Sequence, residues 1–225
     1  MKYEIKGEPF PVVECTVADG ETLKCQAGAM AWMTANMEMA TKSGGIGKML
    51  GRLATNEALF ENNYTAKGGE GMIAFATNVP GHILPIDLSG GRVIIAQKGS
   101  FLASEMSVNV EKHFQKKGMG GLLGGEGFIM QKFSGNGVVF LEVDGSVVEY
   151  ELQPGQTMIV DTGSLAAMDA TVKMDVQMVK GLGNMFGGGE GMFNTVLTGP
   201  GKIWLQTMPV SGLASSIQPY IVTGR

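Results

Sequence analysis

His82 and His113 are the only histidines in the chain. Neither stands in an H-E-x-x-H pattern or beside a cysteine pair, so a histidine-rich transition-metal site is not expected. His82 follows Pro80-Gly81 and reads as a turn residue, while His113 follows Val110-Glu111-Lys112 and reads as a solvated strand end. No serine occupies a G-x-S-x-G setting, which weakens a hydrolase reading. Cys15 and Cys25 lie symmetrically about Gly20, so in a hairpin centred there they would face each other. A cross-strand disulfide and two reduced strand residues are both open readings, but the C-x-x-C spacing of redox and zinc sites is absent.

One set of carboxylates recurs. Glu126 and Glu190 are 64 residues apart, within Gly125-Glu126-Gly127 and Gly189-Glu190-Gly191, and Glu57 takes the matching place upstream. Converging on a common axis, the three would raise one another's pKa and attract a cation; as glycine-flanked turn residues they would simply be solvated. Pairs such as Asp161 and Asp169 carry no spacing that demands acid/base work. The sequence holds no catalytic constellation, so a non-enzymatic protein without a cofactor is expected.

Three glycine-rich apolar segments are less ordinary. They read Gly45-Ile46-Gly47-Lys48-Met49-Leu50-Gly51, Gly118-Met119-Gly120-Gly121-Leu122-Leu123-Gly124 and Gly181-Leu182-Gly183-Asn184-Met185-Phe186-Gly187. Lysines precede each at Lys42, Lys116/Lys117 and Lys180. Connecting segments are normally polar, so three apolar ones need a reason. They could fold back and cap the β structure, with glycine allowing a tight path and methionine irregular filling. They could gather at a homo-oligomer interface. Or Lys48, Met49, Leu50, Leu122, Leu123, Met185 and Phe186 could touch a lipid surface, with flanking lysines at phosphate. The spacing fits neither a dinucleotide fingerprint nor a P-loop.

The elements that must position these residues repeat with them. Gly99-Ser100-Phe101-Leu102-Ala103 matches Gly163-Ser164-Leu165-Ala166-Ala167, and Gly28-Ala29-Met30-Ala31-Trp32 is a more divergent copy. The units run over about 12–80, 82–145 and 146–210, with strand extensions at both ends. Within them, Met37-Glu38-Met39, Val108-Asn109-Val110-Glu111 and Val172-Lys173-Met174-Asp175-Val176 alternate apolar and polar with a period of two. Asp19-Gly20, Gly90-Gly91, Asp144-Gly145 and Pro154-Gly155 punctuate the strands as turns. The expected fold is a single all-β domain over 1–225, its three repeats of about 64 residues wrapping into a closed pseudo-threefold β-prism or compact double-stranded β-helix-like barrel. Closure of that kind would remove exposed strand edges.

Composition limits the function classes. The 225 residues include 35 glycines and 17 methionines, and 44% are apolar, which excludes a disordered chain. Seventeen Lys+Arg against 21 Asp+Glu leave a net charge of −4, which argues against a generic nucleic-acid binder. No apolar run approaches the ~18 residues of a spanning helix. The opening Met1-Lys2-Tyr3-Glu4-Ile5-Lys6-Gly7 lacks the apolar region of a signal peptide, and a cytoplasmic location is the expectation.

With the repeats and glycine-apolar segments in view, the chain resembles a family of largely uncharacterised bacterial and archaeal proteins. That family extends to a mitochondrial member linked to organelle inheritance and biogenesis. The resemblance runs from Tyr3-Glu4-Ile5 to Ile221-Val222 and rests on the Gly-Ser/Ala-Phe/Leu strand entries, the Gly-apolar-Gly segments and the Gly-Glu-Gly-Met/Phe segments. It implies an all-β fold similar to the compact double-stranded β-helix of the tryptophan RNA-binding attenuator protein. It also implies homo-oligomers, a trimer among them. It brings no catalytic residues, and RNA binding is not carried over, since no basic repeat with interleaved aromatics is present. Two readings follow: a self-associating scaffold or binding protein, and a peripheral membrane-associating protein. A small-molecule binder or enzyme with an undetected pocket is the third.

Overall fold

The computed structural model describes residues 1–41, 61–114, 129–178 and 193–221. Strand β1 (Lys2–Lys6) opens the chain. Six strands follow it: β2 (Val12–Val17), β3 (Thr22–Gln26), β4 (Met30–Met33), β5 (Met37–Thr41), β6 (Glu61–Ala66) and β7 (Gly71–Ala76). The next six are β8 (Gly81–Asp87), β9 (Ile94–Gln97), β10 (Phe101–Glu105), β11 (Val108–Phe114), β12 (Ile129–Gly135) and β13 (Val138–Asp144). The last six are β14 (Val147–Leu152), β15 (Thr157–Asp161), β16 (Leu165–Asp169), β17 (Lys173–Met178), β18 (Phe193–Thr198) and β19 (Gly201–Gln206). Helix α1 (Val210–Ile217) comes after them.

The chain divides into two compact units. The first, Met1–Ser89 with Phe101–Val108 and Asn136–Glu142, holds a four-stranded sheet, β1-β2-β7-β4, and a six-stranded sheet, β5-β6-β3-β10-β13-β8. Its core is Val13, Cys15, Leu23, Cys25, Ile73, Phe75, Leu102 and Phe140, contributed by alternate residues of the two sheets. The second unit, Gly90–Ser100 with Asn109–Gly135 and Val143–Arg225, holds a six-stranded sheet, β11-β12-β9-β16-β19-β14, and a three-stranded sheet, β15-β18-β17. Its core includes Ile95, Met130, Leu152, Leu165, Met168, Leu197 and Ile203. The fold is all-β, in several sheets, and among the described residues none of the four closes into a barrel.

The pairings recur along the chain. β2 pairs β7, β8 pairs β13 and β14 pairs β19; β3 pairs β6, β9 pairs β12 and β15 pairs β18. β4, β10 and β16 pair β7, β13 and β19, each with a register shift after its first paired residue, at Met30/Trp32, Phe101/Ala103 and Leu165/Ala167. The polar residue six places after Gly28, Gly99 or Gly163 makes the same contact each time. Thr34 Oγ1 accepts from the Met72 amide at 3.0 Å, Glu105 Oε2 from the Val138 amide at 2.6 Å and Asp169 Oδ2 from the Lys202 amide at 2.8 Å. A glycine precedes each of those amides, and at Gly137 and Gly201 the backbone demands it. A Cβ on Gly71, Gly137 or Gly201 would come within 2.5, 2.5 and 2.6 Å of Met37 Sδ, Glu105 Oε2 and Thr171 Oγ1, and Gly137 and Gly201 also have φ of +135° and +139°.

One open reading is decided and one expectation needs correcting. Cys15 and Cys25 do not face each other across a hairpin, because β2 bonds to β1 and β7 whereas β3 bonds to β6 and β10. The turn at Gly20 carries the chain from one sheet to the other, and both thiols are buried without a disulfide. Second, the expected strand extension is present at the start, as β1, but the end is helical. Pro209 caps a segment whose apolar residues Val210, Leu213 and Ile217 have helical spacing rather than alternation.

Candidate functional site

The sequence-predicted loop residues Lys48, Met49, Leu50, Leu122, Leu123, Met185 and Phe186, and the carboxylates Glu57, Glu126 and Glu190, lie outside the described residues. The structure does place the strands they join. Segments 42–60, 115–128 and 179–192 each link the two members of an equivalent neighbouring pair: β5 to β6, β11 to β12 and β17 to β18. The first and last of these pairs are antiparallel, opened by Thr41 opposite Asn62 and by Met178 opposite Phe193.

His82 lies on β8 rather than in a turn, its Nε2 3.0 Å from Glu8 Oε1. His113, on β11, lies with Lys132 and Lys173 beside a 490 Å³ groove floored by Ile95, Met168 and Met174. Lys132 is paired with Glu111 at 3.2 Å. Among the described residues, no three His, Cys, Asp or Glu side chains are grouped as metal ligands. Nor, among them, is any helix long and apolar enough to cross a membrane.

The densest charged cluster is on the face of β14, β16 and β19. Glu149 accepts from Trp204 Nε1 at 2.8 Å and from Lys202 Nζ at 2.5 Å. The Lys202 ammonium, with the Trp204 N–H adding to it, holds the Glu149 carboxyl below its ordinary value. The Arg92 guanidinium stacks 5.3 Å from the centroid of Trp204 and is 3.1 Å from Asp169 Oδ1. Every charge here is matched, and no group is poised as a nucleophile beside a base; the cluster clamps the sheet.

The sites that differ from their counterparts are two strand edges. In the first unit β3 is covered by β10, and in the second β9 is covered by β16. β15, the equivalent of β3 and β9, instead ends the three-stranded sheet. Its Ile159 is 67% exposed, whereas Lys24 and Ile95 at the matching places are 7% and 3% exposed. Likewise β4, the equivalent of β10 and β16, ends the four-stranded sheet. Its Trp32 and Met33 are 46% and 37% exposed, against 0% and 1% for Ala103 and Ala167 and 1% and 3% for Ser104 and Met168. Unpaired backbone beside exposed large apolar side chains is the signature of an edge that accepts another strand.

The edge of β15 also has a wall. A groove of 740 Å³ runs between Ile159, Val160 and Asp161 on one side and Ser211, Gly212 and Ser215 of α1 on the other. Small residues on the helix side leave room for bulky groups. The serines are used locally, since Ser215 Oγ donates to the Ser211 carbonyl at 2.9 Å and Ser216 Oγ to that of Gly212 at 2.9 Å. Asp161 Oδ1 accepts from the Gly163 amide at 2.8 Å. The groove thus presents backbone and apolar surface rather than reactive groups. The β15 edge was not apparent in the sequence, because Ile95 matches Ile159 in type; Trp32, where Ala103 and Ala167 stand, is the signal that could have found the β4 edge.

Comparison with known proteins gives a consistent relationship. The chain is 29% identical to an uncharacterized protein of Streptococcus pyogenes serotype M6, over 99% of this chain and 92% of that one. It is also similar to an X-ray structure of a Streptococcus pyogenes protein determined in structural genomics. The TM-score is 0.81 at 27% identity, covering 98% of this chain and 99% of the other. The family model described as mitochondrial biogenesis AIM24 matches residues 3–208, and the chain belongs to that family.

Proposed function

We propose that this protein is a non-enzymatic, cytoplasmic, self-associating scaffold built from three copies of one six-strand unit. The observation that carries the reading is the open edge of β15, where Ile159 is 67% exposed although its counterparts are buried. Apolar strand edges left open on a folded protein are sites of association. The recurring pairings and the three equivalent amide contacts support three copies of one unit, since independent origins would not reproduce the same register shift. Sedimentation equilibrium tests the reading. A self-associating protein gives a mass that is a multiple of 23.7 kDa and falls on dilution. A mass of 23.7 kDa throughout the micromolar range contradicts it.

A second reading, contact with a lipid surface, is favoured by one observation. The three glycine-apolar segments each join two neighbouring strands of one sheet, β5 to β6, β11 to β12 and β17 to β18. Liposome flotation at low and high salt tests it. Lipid contact predicts that the wild type floats and that the Met49→Ser/Leu122→Ser/Met185→Ser variant does not. Both proteins remaining at the bottom of the gradient ends this reading.

A further inference from the structure

Resting on the self-association reading, we infer that the edge of β15 is completed by β4 of a second copy of this chain, and that the two strands pair antiparallel in a register already present twice inside each molecule.

The register follows from the internal joints. Ala103, Ser104 and Glu105 of β10 lie opposite Cys25, Lys24 and Leu23 of β3. Ala167, Met168 and Asp169 of β16 lie opposite Ala96, Ile95 and Ile94 of β9. In both cases the residue four places after one glycine, Gly99 or Gly163, faces the residue three places before the preceding one, Gly28 or Gly99. Applied to the two unused edges, this rule sets Trp32 opposite Val160, Met33 opposite Ile159 and Thr34 opposite Met158. The pairing brings together Trp32, Met33 and Ile159, which are 46%, 37% and 67% exposed.

The resulting sheet would run β17-β18-β15-β4-β7-β2-β1, reproducing the six-strand order of the other two joints with β1 added at its end. The incoming strand would lie in the groove between β15 and α1, where Gly212 and Ser215 leave space for a large side chain. Neither edge carries the lysine or proline with which strand edges are usually guarded. A strand of unrelated sequence would satisfy the backbone of β15 but would not also bury β4. Each molecule has one edge of each kind, so the contact is heterologous, and chains join head to tail.

Complementation tests this directly. Met33→Asp places a carboxylate on one edge and Ile159→Asp on the other, so each variant alone sediments as a monomer. Mixed in equal amounts, the β15 edge of the first meets the β4 edge of the second, and the mixture gives a dimer that does not grow further. A mixture that remains monomeric, or variants that remain as large as wild type, overturns the proposal. If wild type itself is monomeric, the self-association reading fails instead. A second experiment does not depend on how well these variants fold. Met33→Cys and Ile159→Cys proteins, mixed and treated with a short thiol-to-thiol linker, give one covalent dimer, because Cys15 and Cys25 are buried. No dimer from the mixture, with linkage only inside a Met33→Cys/Ile159→Cys double variant, places both strands in one chain and refutes the second copy.

Discussion

At the scale of residues, surroundings shift the Cys15 thiol and the Glu149 carboxyl in opposite directions. Cys15 sits fully buried on β2, and burial, with Glu105 and Glu21 adding to it, pushes its thiol up to about 12. A folded-state value above that of the unfolded chain, about 8.5, means the stability tied to the neutral thiol is complete below pH 8.5 and is lost as pH rises towards 12. Unfolding followed by denaturant from pH 8 to pH 10 should show wild type losing up to about 1.4 kcal/mol per pH unit above 8.5 relative to Cys15→Ala. Parallel pH dependence in the two proteins would remove burial of this thiol from the explanation. Glu149 works in the opposite sense. Its carboxyl is depressed by Lys202, so its contribution is present above the ordinary glutamate range and fades as pH falls through the depressed value.

At the scale of elements, a strand end is locked to the start of a later strand by one side chain accepting a backbone amide. Asp169 is the most committed of the three, because it takes the Lys202 amide on Oδ2 and the Arg92 guanidinium on Oδ1. Asp169→Ala removes the acceptor of the Lys202 amide and the ion pair of Arg92, which keeps its stack on Trp204, and should cost about 1–3 kcal/mol. Asp169→Asn, which keeps one acceptor, should cost less. Chemical denaturation checks both, and an Asp169→Ala variant as stable as wild type would show that the contact is incidental. Strand positions were legible in the sequence: Gly28, Gly99 and Gly163 announced strands that start at Met30, Phe101 and Leu165. The helix after Pro209 was legible in principle, from the spacing of Val210, Leu213 and Ile217. Which strand pairs with which was not. The separation of Cys15 from Cys25 into different sheets is set by β7, β6 and β10, distant segments whose pairing leaves no mark on the turn at Gly20.

At the scale of the whole molecule, the recurring strand pairs are covered unevenly. Two joints, β3 to β10 and β9 to β16, are made within the chain, while β4 and β15 each end a sheet. Among the described residues, none of the four sheets closes into a barrel. The edges were legible only in part: Trp32 stands out against Ala103 and Ala167, whereas only exposure separates Ile159 from Ile95. The loop candidates named from their glycine spacing, Met49 to Phe186, belong to segments outside the described residues. The site that the structure offers in their place is made of backbone, which sequence patterns do not advertise. Hydrogen exchange of the β15 amides, Thr157–Asp161, is therefore the most direct test. Strand addition from a second copy predicts that the β15 amides not bonded to β18 exchange quickly in dilute protein and slow at high concentration towards the rate of Ile94–Gln97, with the Met30–Met33 amides not bonded to β7 slowing in parallel. Exchange in both strands that is fast, or slow, at every concentration would contradict it.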